Sequence, residues 1–213
     1  MKKLICLLLL LASVACNNQD NDIEAQLIDE LLAQAGVKMG TEPALATEYF
    51  HQAEAKLTAQ NSSSKKLTYV YKALAYLYHE QGNSLKAAEY INTALSQPNL
   101  TTKDLSELYF YYGQLQANNG AYAQAAEYFK QAQVFFSQVG NHEYQARSYH
   151  ELGNCYRSLN QFETSKESYN TAIKLTSDVG LQANFNNSLG NLFAKQEDYP
   201  KAIEYYKKAL ALG

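Results

Sequence analysis

Apolar and small residues recur along this chain at helical spacing, and the recurrence comes in units. Between residues 149 and 172, Tyr149, Leu152, Gly153 and Tyr156 sit three or four positions apart or side by side, which places them on one face of a helix. After a short polar break come Ser165, Tyr169 and Ala172, a small, a large and a small residue sharing a face of a second helix. Small residues set against large ones let antiparallel helices interdigitate. The stretch therefore reads as a helical hairpin in which Gly153 admits its partner helix closely.

The same register repeats. With the small residue of each first helix as anchor, the series is Gln34, Ala75, Gly113, Gly153 and Gly190, at spacings of 41, 38, 40 and 37 residues. Twelve positions after the anchors stand Ala46, Ala87, Ala125, Ser165 and Ala202, and sixteen after stand Phe50, Ile91, Phe129, Tyr169 and Tyr206. Nineteen after, the residue is alanine each time: Ala53, Ala94, Ala132, Ala172 and Ala209. The pattern predicts about five helical hairpins over approximately residues 23–60, 67–100, 105–140, 145–180 and 182–213. Three prolines and ten glycines in 213 residues agree with long uninterrupted helices.

These residues resemble the tetratricopeptide repeat, whose signature is an aromatic, Leu-Gly and Tyr on the first helix, then Ala-x3-Phe on the second. The units at Gly113, Gly153 and Gly190 carry the resemblance, with Gly120-Ala-Tyr122, Asn160-Gln-Phe162 and Glu197-Asp-Tyr199 as the turns between helices. The first unit departs from it at Gln34 and Pro43. The resemblance implies an all-α, right-handed superhelical solenoid. Its usual period is about 34 residues, and here the extra residues precede the next repeat, at Gln138-Val139-Gly140 and Asp178-Val179-Gly180. Glycine at both places is expected to cap the preceding helix, and second helices are expected to run about one turn longer than in the standard repeat. The serines at 62–64 and Pro98-Asn99 mark the corresponding loops earlier in the chain.

The resemblance also implies a peptide-binding groove on the side of the first helices opposite the packing stripe. The residues expected there are Tyr69, Lys72, Tyr76 and His79 in the second unit, and Glu107, Phe110, Tyr111 and Gln114 in the third. In the fourth they are Arg147, His150, Glu151, Asn154 and Arg157, and in the fifth Asn184, Asn187, Ser188 and Asn191. Asparagine can bond both a peptide N–H and a C=O, which suits recognition of an extended backbone; the alternative reading is a merely solvated polar face. Arg147, Asn154 and Asn191 resemble part of the carboxylate clamp of some family members. His150 and Ser188 stand where that clamp needs lysine and asparagine, so chaperone-tail binding is not expected.

The N-terminus changes the picture of where this happens. Lys2 and Lys3 precede an apolar run from Leu4 to Leu11, about half of what spans a bilayer, so residues 1–15 read as an export signal. Ala12-Ser-Val-Ala-Cys16 resembles the lipobox of bacterial lipoproteins, which makes Cys16 the expected lipidation site; an ordinary signal peptide cut nearby is the alternative. Residues 16–22 read as the lipidated cysteine and a short polar tether, and residues 23–213 as the repeat domain. Asn17 in place of aspartate leans the resemblance toward an outer-membrane lipoprotein of the cell envelope, facing the periplasm or the cell surface. Multiple acyl chains would provide the membrane contact.

Without residues 1–15 the chain keeps 18 − 2 = 16 basic against 21 acidic residues, a net of −5 with no basic run, which gives no support to nucleic-acid binding. Of three cysteines, Cys6 leaves with the signal and Cys16 is spoken for, so Cys155 stands alone as a partly buried structural thiol and no disulfide framework forms. His51, His79, His142 and His150 are scattered over different units, and even His142 and His150, two helical turns apart, lack a third ligand, so no metal is expected. There is no phosphate-binding glycine loop, nucleophile elbow or paired-carboxylate motif, and neither an enzyme nor a cofactor is expected. A protein or peptide is the expected partner.

At the C-terminus no polar capping helix follows the fifth unit, which leaves Leu189, Phe193 and Tyr206 expected on an exposed face open to a partner or to self-association. The other reading of that end is an extracytoplasmic sensory segment of a longer signalling protein, such as a histidine kinase or regulator.

Overall fold

The structure is a computed structural model that describes residues 22–60 and 65–212. The signal, Cys16 and the serine run at 62–64 lie outside the described residues. Within them the chain is all-α, with ten helices and no strand: α1 (22–38), α2 (Pro43–Ala59), α3 (Lys65–Glu80), α4 (Ser84–Leu95), α5 (Thr102–Asn118), α6 (Tyr122–Gln138), α7 (His142–Ser158), α8 (Phe162–Leu175), α9 (Val179–Lys195) and α10 (Tyr199–Leu210).

The chain forms two compact units that meet in sequence between Leu77 and Tyr78. In the first, Ile28, Leu31 and Ala35 of α1, and Ala46, Phe50, Ala53 and Leu57 of α2, are buried. Tyr69 sets its ring edge-on to Phe50 at 5.8 Å, and Lys66 pairs with Asp29 at 2.6 Å.

In the second unit the anchor glycines explain themselves. A Cβ on Gly113 would lie 2.8 Å from the Phe129 ring, and one on Gly153 would lie 2.5 Å from the Tyr169 ring. Gly190 faces Tyr206 in the same way. Each first helix thus meets the ring sixteen residues later across a contact that only glycine permits. Consecutive helices then share cores. Leu152 and Cys155 of α7 join Ala126, Phe129 and Phe136 of α6, and Leu189, Leu192 and Phe193 of α9 join Tyr169 of α8.

The turns repeat too. Gly82, Gly120, Asn160 and Glu197 each adopt positive φ, between 60° and 77°, just past the end of a first helix. The next residue's N–H then bonds a carbonyl five residues back, as Ala121 does to Gln116 at 2.9 Å and Gln161 to Tyr156 at 2.8 Å.

Three expectations about elements and core are corrected. Gly140 does end α6, at φ 70°, but Gly180 does not end α8. That helix stops at Leu175 with Thr176 extended, and Gly180 lies in the first turn of α9, where Asp178 caps the N–H of Leu181 at 2.8 Å. Second helices are not uniformly long: α2 and α6 have 17 residues, α8 has 14, and α4 and α10 have 12. Leu189 and Phe193 are buried, because they face α8 and α10 rather than the chain's outer side.

Candidate functional site

The residues expected on the groove sort by what the folded helices do with them. In the first unit, Tyr69 is exposed beyond its contact with Phe50, and Lys72 and Tyr76, one and two turns on, are half-buried. In the second unit, His79 accepts or donates at 3.3 Å with Asn118 of α5, a contact between consecutive first helices. Glu107, Tyr111 and Gln114 of α5 are half-buried. Phe110 is corrected: it is 6% exposed, packed edge-on to Phe129 at 5.6 Å and to Tyr144 at 5.7 Å, and belongs to the core.

On α7 the expected residues form one polar network. His150 shares a 2.8 Å hydrogen bond with Ser188 of α9 through Nε2, and its Nδ1 lies 3.6 Å from Glu151. Its ring stacks on Phe185 with centroids 4.7 Å apart. Asn154 donates to Glu151 at 3.1 Å and accepts the Tyr169 hydroxyl at 2.7 Å. Arg147 pairs with Glu143 at 3.0 Å. The Arg157 backbone carbonyl accepts Lys195 Nζ at 2.9 Å, while its Nε is buried with no hydrogen-bond partner.

Electrostatics follow from this packing. Burial pushes the Glu151 carboxyl up, but the His150 contact, the Asn154 hydrogen bond and the Arg147 charge more than offset it, and the group stays below the ordinary carboxylate value. Burial raises the Tyr169 hydroxyl against the opposing pull of Arg157, which keeps it a donor toward Asn154. Cys155 is fully rather than partly buried, and desolvation followed by the Glu151 charge pushes its thiol up to about 12. At that value the thiolate is absent near neutrality, and the side chain is inert packing.

The fifth repeat presents a different face. Asn184, Asn187 and Asn191 are exposed at i, i+3 and i+7 of α9, so they line one side of that helix. Asn191 accepts the Tyr206 hydroxyl at 2.8 Å, the counterpart of the Asn154–Tyr169 bond. Ser188 is buried and spent on His150.

The tyrosine hydroxyls are the part the sequence reading missed. A signal existed: asparagine follows the anchor glycine where tyrosine stands sixteen after it, whereas Gln114 follows Gly113 where the ring is Phe129. Among the described residues no cluster of three metal-ligating side chains occurs, and no helix is long and apolar enough to cross a membrane.

Tetratricopeptide-repeat family models match the sequence over residues 104–178 and 183–212. No curated protein matches it. Among solved structures, the chain is similar to BtubC (BKLC) from P. vanneervenii, at 19% identity and a TM-score of 0.76, over 93% of this chain and 84% of that one. It is also similar to the apo form of RapI, at 17% identity and a TM-score of 0.77, over 87% and 69%. Pseudomonas aeruginosa PilF matches at 18% identity and 0.67, over 89% and 78%. At these identities the likeness is one of fold.

Proposed function

We propose, from the tetratricopeptide repeats that residues 104–178 and 183–212 form, that this chain is a non-enzymatic scaffold binding a protein or peptide through its first helices. The observation that carries the proposal is the row of exposed amides Asn184, Asn187 and Asn191 on α9. It lies beside an α7 face whose polar groups are already held in place by hydrogen bonds. Pre-set side chains, Asn191 among them through its bond from Tyr206, lose little freedom when a partner docks, and the exposed amides of Asn184 and Asn187 supply both donor and acceptor to an extended backbone. The α7 network serves as support for that surface, since Asn154 has one amide N–H and its oxygen engaged within the chain.

The test is the double substitution Asn184→Ala with Asn187→Ala, both at exposed positions. It should abolish capture of the partner that the unaltered domain retains from the cell envelope, with the unfolding midpoint unchanged. Equal capture by both forms contradicts the proposal.

The same proposal places the scaffold on a membrane through acyl chains at Cys16, in the bacterial envelope and on the outer membrane. What supports it is the sequence alone: a short apolar run, small residues and then cysteine. Labelled palmitate should enter the full chain and be absent from Cys16→Ser; incorporation that survives the substitution rules the anchor out.

A further inference from the structure

Positions of equal register behave differently at the two ends of the repeat series. On α7, Gln145, Ala146, Ser148, Leu152 and Cys155 are buried, and on α9 so are Phe185, Asn186, Leu189, Leu192 and Phe193. Leu152 and Cys155 share a core with α6, and Leu189, Leu192 and Phe193 share one with α8, so these positions meet a preceding second helix, whereas Ala146 packs with Ala172 of α8 and Phe185 of α9. The matching positions of α1, namely Ala33, Gly36 and Val37, are all exposed, Val37 by 76%, and Gln26, Leu27, Asp29 and Glu30 beside them are exposed as well.

The reverse holds on second helices. Ala126 of α6 is buried against Leu152 and Cys155, and Phe162 and Ile173 of α8 pack into the core that α9 completes. Their counterparts on α10 are open: Tyr199 is 60% exposed, Ile203 53% and Leu210 81%. These three fall at i, i+4 and i+11, a single stripe.

The two faces are opposite in charge as well as in role. Helix α1 carries Asp22, Glu24, Asp29 and Glu30 against Lys38, a net of −3. Helix α10 carries Lys201, Lys207 and Lys208 against Glu204, a net of +2. Lys207 borders the apolar stripe at four positions from Ile203, and Glu30 lies among Leu27, Ala33 and Val37.

We propose that the partner of α10 is α1 of a second copy of this chain, so that copies join head to tail by adding one more helix-on-helix step of the kind seen at α6–α7 and α8–α9. The interface is heterologous: its two faces belong to different helices, and each copy keeps one of each for the next. Complementary charge sets the pairing and excludes α10 against α10, where Lys207 would approach its like. This surface is separate from the exposed amides of α9, so the two proposals stand or fall independently.

The test is oxidative cross-linking between two differently tagged full-length copies made in the same cell. One carries Val37→Cys and the other Ile203→Cys, and copies without an introduced cysteine set the background from Cys6 and Cys16. Cys155 is buried and does not compete. The mixed pair should yield a disulfide-linked species containing both tags, well above the 37–37 and 203–203 pairings. Lys207→Glu should lower that yield about three-fold, and Glu30→Lys in the other copy should restore it. A dominant 203–203 adduct means α10 pairs with itself and overturns the proposal. Background yield in every combination overturns it too, because α10 is then covered by something else, such as a further segment of a longer chain.

Discussion

Glu151 shows how a single residue supports a surface it does not itself form. It takes a hydrogen bond from Asn154 and lies beside His150, which in turn reaches Ser188 on the next repeat. Its carboxyl sits below the ordinary value of 4.5, despite burial acting the other way. A carboxyl depressed in the folded state contributes stability above its unfolded pKa and loses it as pH falls through the folded one. The unaltered chain should therefore lose stability on acidification below about pH 4.5 more steeply than Glu151→Gln, measured by urea unfolding across the acid range. Parallel pH profiles contradict the reading. Little of this network was legible beforehand, because a hydrogen bond such as His150–Ser188 joins residues 38 apart and depends on the stagger of two helices. The sequence marked His150, Asn154 and Arg157 as residues left over from packing; it did not mark Tyr169 as the group that fixes Asn154.

At the scale of the element, the small-against-large register was legible because it is a steric necessity. Gly153 sits where any Cβ would enter the Tyr169 ring, and Gly113 stands in the same relation to Phe129. Gly153→Ala should cost about 1 to 2 kcal/mol in denaturant unfolding, since a Cβ 2.5 Å from the fully buried Tyr169 ring belongs to the upper part, about 2 to 3 kcal/mol, of what overpacking costs, against the roughly 1 kcal/mol alanine gains in helix propensity. An unchanged or raised midpoint would mean the ring moves aside freely. Helix ends were less legible. Gly140 and Gly180 follow valine at equivalent places, yet only Gly140 is a cap, because Asp178 offers α9 a better start two residues earlier. Phe110 was misplaced for a related reason: α5 is aromatic over more than one face, from Tyr109 to Tyr112, and spacing alone does not say which ring turns inward. Edge-on contacts with the buried Phe129 and Phe136, covered by the partly exposed Tyr144, decide it.

At the scale of the molecule, the hairpins of the second unit spend their apolar residues on one another, so function falls to what faces outward. What remains outward along the middle of α9 is the amide row Asn184, Asn187 and Asn191, and on α7 the polar groups around Asn154 are hydrogen-bonded in advance. That division between a supporting repeat and a presenting repeat is the core of the account. It is tested most directly by a photo-reactive residue placed at Asn187 on α9, with Glu127 on the exposed side of α6 as the control position. Irradiation in intact cells should give a discrete protein adduct from position 187 and none from position 127. Adducts of equal yield from both positions, or none from 187, would contradict it.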